Sequence, residues 1–340
     1  MPTTVTTFKD FTLEETKDWL SENNVLFVTN TPAMPGSVFV SSLRTYIDYI
    51  PVHNFHIIPG IVNNKPFYGL DAYLDLVAKC ISDSHFKKFD YVIYIDEDAF
   101  ITDFNLMMDD FLRFKDGNYC LGGPQDGAVI CHRNHQHMMI NTFISFWNMK
   151  LLRESATPES IKNMLNRIIG SKLRMPFDSF DNLLKQNQNL YYEVKNSADE
   201  NVELIKSYRS SVFHNGESPY CKVVRNDPSN PVEPHQIPYT SSYGKEFTNY
   251  EPYYLVEQIF ILLTQRPIYY MFATDYYNPE LPDDKTDNSG LTSAVYDRDT
   301  KEMYCVHTWF SRGYSKWPQN KLMLQHTNRI NKVILAHGAI

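Results

Sequence analysis

Short apolar runs alternate with helical apolar repeats through the first third of the chain. The run YVIYI at 91–95 is the strongest of these, since five consecutive residues suit a strand buried on both faces. Between the runs, apolar residues recur every three or four positions, as they do on one face of a helix. The predicted strands are 25–29, 55–62 and 91–95, and the predicted helices are 12–20, 37–50, 70–82 and 103–114. Such alternation predicts an α/β fold with a mostly parallel mixed sheet flanked by helices.

The remainder of the chain is patterned less regularly. Helical spacing returns at 158–169, 178–186 and 251–265, and the run MYCVHT at 303–308 predicts a late strand. Residues 214–252 contain six prolines and many small polar residues, which favours a long loop or lid. We expect one domain spanning residues 1–340.

Composition excludes several classes of protein. With 43% hydrophobic residues among 340, the chain can bury a full core, and its net charge of −8 argues against a protein that coats nucleic acid. The five cysteines form no CxxC pair, which favours a reducing, cytoplasmic location over a disulfide framework. No apolar stretch approaches the ~18 residues of a membrane span, so no stable membrane insertion is expected.

Two features of the composition remain open to more than one interpretation. The 14% aromatic content fits a core rich in Tyr and Phe, and some of these rings can also stack on sugars or bases. Positive charge concentrates at 150–175, with six bases against two acids, and at 303–340, with five bases and no acids. These segments are either solvated helix faces or patches that contact phosphates.

The acidic triplet Asp96-Glu97-Asp98 carries the clearest chemistry. It follows the strongest strand, and in open α/β sheets ligands bind at the carboxyl ends of the strands. Carboxylates there suit Mn²⁺ or Mg²⁺, and such an ion can bridge a diphosphate. The alternative is a cluster of acids at a helix N-terminus on the surface.

Two families place Asp-x-Asp after an apolar strand. The haloacid-dehalogenase-type phosphatases need Thr or Val where this chain has Phe100, and they carry the motif on their first strand, so that interpretation fits poorly. The triplet resembles instead the DxD motif of GT-A nucleotide-sugar glycosyltransferases, which follows a βαβαβ nucleotide-binding half.

Three further segments, in the same order, resemble the glycogenin and lipopolysaccharide-galactosyltransferase type. Residues 119–127 and 140–149 resemble the acceptor-side strand and "N-x-G-hydrophobic" segment, with Phe143 in place of the glycine, which predicts a narrower acceptor cleft. Glu257-Gln258 resembles the "DQ" helix start, and 305–318 resembles the late "H…G…KPW" segment with its last two residues reversed.

The resemblance implies a role for each matching residue. Asp96, Asp98 and His307 form the metal site, and Lys316, with Arg312 as its rival, meets the diphosphate. The implied halves are nucleotide-binding at 21–118 and acceptor- and metal-binding at 119–318, followed by a basic tail at 319–340. Further candidates are Thr29 and Asn30 for the nucleoside, Glu257 to orient the sugar or to serve as the base, and Asp126, Asp178 or Asp181 as the catalytic base.

The predicted activity is metal-dependent transfer of a sugar, from a UDP-linked donor, to a hydroxyl acceptor. The acceptor is a glycan or 5-hydroxymethylcytosine in phage DNA, which a basic groove and a flipped base would suit. A non-catalytic nucleotide-sugar or nucleic-acid binding module is the alternative from another class, and no obligate protein partner is indicated. His132, His135 and His137 invite a zinc interpretation, but no cysteine lies at suitable spacing.

Overall fold

The computed structural model is an α/β fold in which a curled, mixed sheet is flanked by helices. It describes residues 7–31, 37–63, 65–67, 70–125, 138–170, 182–212, 237–240, 246–249, 254–275, 292–308 and 330–337. The strands are β1 (Val25–Asn30), β2 (Phe55–Ile58), β3 (Ile61–Val62), β4 (Lys65–Pro66), β5 (Tyr91–Ile95), β6 (Ala99–Ile101), β7 (Leu121–Pro124), β8 (Ile144–Asn148), β9 (Ile237–Thr240), β10 (Glu246–Asn249), β11 (Ile268–Asp275), β12 (Thr292–Tyr296) and β13 (Met303–Thr308). The α-helices are α1 (Leu13–Glu22), α2 (Ser37–Arg44), α3 (Leu70–Ser82), α4 (Phe104–Asp116), α5 (Met149–Ser155), α6 (Pro158–Gly170), α7 (Gln188–Val212) and α8 (Tyr254–Thr264), and residues 330–337 are also helical.

The N-terminal elements follow their local signals closely. Helix α1 begins after Thr12, whose hydroxyl accepts from the Glu15 N–H while the Glu15 carboxylate accepts from the Thr12 N–H. This capping box satisfies two of the N–H groups that a helix start leaves without intrahelical partners. Asp103 caps α4 with its side chain alone, which accepts a 2.9 Å bond from the Leu106 N–H. The predicted strand 91–95 and helix 70–82 are confirmed at both ends.

Two predicted elements are shorter than expected. The helix predicted over 37–50 ends at Arg44, and only a 3₁₀ turn, Ile47–Tyr49, continues the pattern. Ile50 precedes a proline and is extended, at φ −109° and ψ 126°, as steric contact with a proline ring requires. The strand predicted over 55–62 is interrupted at Pro59-Gly60, because proline lacks the N–H that a strand ladder needs.

The described residues form a nine-stranded sheet in the order β2-β1-β5-β8-β7-β11-β12-β13-β6. Parallel pairing joins β2 to β1, β1 to β5 and β7 to β11. The other five neighbouring pairs are antiparallel, because β8 runs between β5 and β7 in the opposite direction and β11, β12, β13 and β6 alternate. The prediction of a mixed sheet flanked by helices is therefore confirmed, and parallel pairing is more limited than predicted.

Successive side chains of β1 point to opposite faces of the sheet and pack into two separate layers of the core. Leu26 and Val28 of β1 pack with α3, α5, α6 and α8 on one face of the sheet. Val25 and Phe27 pack with α1 and α4 on the other face. This alternation follows from the two-residue period of a strand and explains why β1 is apolar at nearly every position.

Strands β5 and β6 are third and ninth in strand order, yet only residues 96–98 separate them in the chain. The sheet therefore curls to bring these two strands close together in space. Helix α2 and the turn after it cover the free edge of β6: the Ser42 hydroxyl donates to the Ala99 carbonyl, and the Ile101 N–H donates to the Thr45 hydroxyl at 3.0 Å. The acidic triplet is therefore held between two fixed strands.

The second half departs most from the sequence prediction. Helix α7 spans 25 residues that were not assigned, and the segment predicted as a loop at 214–252 contains an antiparallel hairpin of β9 and β10. The late strand predicted at 303–308 is confirmed as β13. Of the helix predicted at 178–186, residues 178–181 lie outside the described part.

Candidate metal centre

Backbone pairing brings Asp98 and His307 together across 209 positions of the chain. In the β13–β6 ladder His307 lies opposite Ala99, the residue after Asp98. The N–H and the hydroxyl of Thr308 both donate to the Asp98 carbonyl at 3.1 Å. Asp96 is fixed from the other side, because its N–H donates to the Phe143 carbonyl at 2.8 Å.

The three predicted metal ligands form one cluster. One ligand atom from each of Asp96, Asp98 and His307 lies within 4.8 Å of the others. His307 Nε2 is 3.0 Å from Asp98 Oδ1, and these side chains are buried while Asp96 is half-buried. Two carboxylates held this close, one buried and one half-buried, repel each other, and a divalent cation offsets that cost. Carboxylate oxygens with one imidazole nitrogen suit Mn²⁺ better than Mg²⁺, which prefers oxygen ligands alone.

Phe143 supports the cluster with both its ring and its backbone. Its ring stacks on the His307 imidazole, with centroids 4.4 Å apart and planes 3° apart. Its carbonyl is the group that accepts from the Asp96 N–H. The ring is 0% exposed, so Phe143 packs against a candidate ligand, which differs from the cleft-lining role predicted for it.

Tyr94 links the end of β1 to the cluster. Its hydroxyl lies 2.6 Å from Asn30 Oδ1 and 3.0 Å from Asp96 Oδ1. Burial, with the nearby Asp96 charge, raises the pKa of Tyr94 well above 10, so the phenol keeps its proton and acts as a donor at neutral pH. Sequence reasoning missed Tyr94, although its position two residues before Asp96 places both on the same face of the strand.

The nucleoside candidates Thr29 and Asn30 end β1 and are both buried. Asn30 faces Tyr94, as described. The Thr29 hydroxyl is next to Tyr46: burial raises the pKa of Tyr46, and the Thr29 hydroxyl acts in the opposite direction. Of the two, Asn30 is the one the structure connects to the acidic triplet.

The predicted catalytic residue Glu257 lies in the first turn of α8 and is buried. Its Oε2 accepts from the Ile140 N–H at 3.0 Å, which pins the segment leading into β8. The next residue, Gln258, is 0% exposed, and neither atom of its side-chain amide has a hydrogen-bond partner within the described residues. Burial, and then the Glu257 charge, raise the pKa of Tyr270.

Several predicted residues lie outside the described part of the chain. These are Asp126, Asp178, Asp181, Arg312, Lys316 and the histidines His132, His135 and His137. Trp147, which falls in the 140–149 segment that resembles the acceptor side, is 2% exposed and stacks on Tyr94 in the core.

The described basic residues bear on a polyanionic acceptor. In the 150–175 segment, Arg153 donates to the Phe89 carbonyl at 2.7 Å and to the Asp90 carboxylate at 2.8 Å. These contacts of Arg153 therefore join α5 to the start of β5. Lys150, Lys162 and Arg167 are exposed and remain available to a ligand. The DNA acceptor stays a prediction.

Comparisons with known proteins supply no family for the chain. No protein-family model matches it, and no curated protein matches it significantly. Among the helices described, none is both long and apolar enough to cross a lipid bilayer. The geometry of the site itself therefore has to carry any functional assignment.

Proposed function

We propose that this protein is a metal-dependent glycosyltransferase that moves a sugar from a nucleotide-sugar, UDP-linked by resemblance, to a hydroxyl acceptor. The observation that carries the proposal is the convergence of Asp96, Asp98 and His307 within 4.8 Å. They meet beside the parallel β2-β1-β5 unit, where open α/β sheets bind ligands. The resemblance in motif order, from the acidic triplet to the late histidine, adds to this geometry.

In this proposal each described residue has a defined task. Asp96, Asp98 and His307 hold Mn²⁺ or Mg²⁺, which when bound neutralises charge on the departing diphosphate. Asn30 contacts the nucleoside at the end of β1. Transfer breaks the bond between the sugar C1 and the diphosphate oxygen, forms one between C1 and the acceptor oxygen, and releases the acceptor proton to a base.

The contacts of the described residues bear on one of the predicted base candidates. Glu257 Oε2 is engaged by the Ile140 N–H, which favours Glu257 as a residue that positions the segment carrying Asn141. Asp126 is a base candidate from its place in the sequence after Gly122-Gly123. The carboxyl group of Glu257 and the amide of Gln258 also give this helix start polar groups suited to a sugar hydroxyl.

A donor screen tests the activity. Purified protein is incubated with Mn²⁺ and a panel of UDP-sugars, and release of UDP is measured. We expect release with at least one sugar, and its loss in Asp98→Asn. Asp110→Asn is the matched control, since Asp110 is a buried aspartate outside the cluster, and it should retain activity.

The outcomes separate the possible functions. Activity of Asp98→Asn equal to wild type contradicts the metal assignment. Binding of UDP and Mn²⁺ without turnover on any donor or acceptor supports the non-catalytic binding module instead. The acceptor arm compares oligosaccharides with a duplex containing 5-hydroxymethylcytosine, and a true DNA acceptor must bind more weakly as salt rises.

A further inference from the structure

The Tyr94 hydroxyl is held in a fixed position between two acceptors. The ring is 2% exposed, lies edge-on to Tyr73 at 5.0 Å and stacks on Trp147 at 6.1 Å. These contacts leave the ring little freedom to rotate or shift. The hydroxyl oxygen consequently stays within hydrogen-bond distance of both Asn30 Oδ1 and Asp96 Oδ1.

One phenol hydrogen serves these two acceptors. A tyrosine hydroxyl has a single proton to donate, so the two bonds compete for it. Asp96 carries a negative charge, which makes its oxygen the stronger acceptor when no cation is near. A cation bound to Asp96 withdraws that charge and shifts the proton toward Asn30 Oδ1, which is already the nearer atom at 2.6 Å.

The shift has a consequence for Asn30. When the amide oxygen accepts the full bond from Tyr94, the amide orientation is fixed and its NH₂ group is directed away from Tyr94. That NH₂ group is a donor suited to a carbonyl or hydroxyl of a nucleoside. An amide that is already oriented loses less entropy when the ligand binds.

We infer that Tyr94 couples the metal centre to the nucleoside-contacting end of β1, so that a bound cation increases affinity for the nucleoside itself. This inference rests on the proposed function. Since binding linkage is reciprocal, the nucleoside must increase affinity for the cation by the same factor. Tyr94 is thus a positioning residue, which acts through Asp96 and Asn30.

The test uses uridine, because a nucleoside without phosphate lacks the diphosphate oxygens that would bind the metal in the proposed function. Equilibrium dialysis of tritiated uridine gives its Kd with and without saturating Mn²⁺, and electron paramagnetic resonance of free Mn²⁺ gives the reciprocal Kd. We expect Mn²⁺ to tighten uridine binding roughly five-fold or more in the wild type. In Tyr94→Phe, which keeps the ring packing, the factor should fall to about one.

Tyr270→Phe is the matched control. Tyr270 is buried in the same core as Tyr94, but its hydroxyl donates to the Met138 carbonyl at 2.7 Å, so its removal should leave the factor unchanged. An unchanged factor in Tyr94→Phe, or a wild-type factor of one, overturns the coupling alone. Binding of UDP with Mn²⁺ but not of uridine overturns the nucleoside role of Asn30 and the coupling with it. Absence of both UDP and Mn²⁺ binding in the wild type overturns the proposed function.

Discussion

Two buried aspartates on this scaffold have opposite surroundings. Asp110 of α4 accepts from the Tyr269 hydroxyl, from the Tyr304 hydroxyl at 2.7 Å and from Arg113 at 3.3 Å. Asp98 lies instead in a cluster with a second carboxylate and an imidazole. Strand β13 supplies a partner to both, Tyr304 to one and His307 to the other. A carboxylate surrounded by donors is internally compensated, whereas two carboxylates with one imidazole form a site for a cation.

The largest expected difference between the two aspartates is in metal affinity. Asp98→Asn removes a charged ligand and should weaken Mn²⁺ binding by roughly 100-fold or more, since even indirect partners of metal ligands contribute roughly 10- to 100-fold. Asp110→Asn should leave the Kd within roughly three-fold of wild type. Isothermal titration of both variants measures this. Equal losses in the two variants would show that the comparison reflects global stability and not ligation.

In the metal-free protein the order of the two variants should reverse, with Asp110→Asn losing more stability than Asp98→Asn. Asp110→Asn places an amide donor among hydroxyl and guanidinium donors, and we expect it to lower the free energy of unfolding by about 1–3 kcal/mol. Asp98→Asn relieves repulsion between carboxylates and keeps an oxygen for His307, so its effect should lie within about 1 kcal/mol. Chemical denaturation in excess chelator measures both. A larger loss in Asp98→Asn contradicts the distinction.

A smaller loss of Mn²⁺ affinity is expected when the ring that supports His307 is removed than when a carboxylate ligand is removed. Phe143→Leu removes the ring that stacks on His307, a contact of the kind worth about 0.5–1.5 kcal/mol, so Mn²⁺ should bind roughly two- to ten-fold more weakly. The Co²⁺ visible spectrum should also change, because it reports ligand geometry. Phe146→Leu is the control, since Phe146 is equally buried in β8 but packs on Phe111 and Phe114. The same spectral change in both variants would mean that the stacking does not orient His307.

The elements that could be predicted are those fixed by local signals. Strand β5 is a continuous apolar run, and α1 and α4 each begin at a capping residue, Thr12 and Asp103. The antiparallel insertion of β8 between β5 and β7 depends on pairing across about 50 residues, for which no local pattern exists. Helix α7 could have been predicted from the sequence, although it was missed. Its buried residues follow helical spacing: Leu190, Val194, Ala198, Val202 and Ile205.

The candidate site also has residues that the sequence predicts and contacts that it does not. The aspartates were predicted from their place after a strand, and His307 from motif order; the structure brings all three together through the β13–β6 register. The support from Phe143 could not be predicted, because the motif that this segment resembles has a glycine there and the contact of Phe143 with His307 joins residues far apart in the chain. The compensation of Asp110 by Tyr269 and Tyr304 is equally non-local.

The smallest expected effect concerns pH. Burial raises the pKa of Asp110, while hydrogen bonds from Tyr269 and Tyr304 and the charge of Arg113 act in the opposite direction. The folded protein then binds this proton more tightly than the unfolded chain does. The contribution of Asp110 to the free energy of unfolding therefore falls as pH rises from about 4 through its folded pKa. The cost of Asp110→Asn should therefore be greater below pH 4 than at neutral pH. Urea denaturation from pH 3 to 7 measures this, with exposed Asp116→Asn on the same helix as control. A cost that grows toward neutral pH would show that the tyrosine and arginine donors outweigh burial, and that Asp110 is stabilised as an anion.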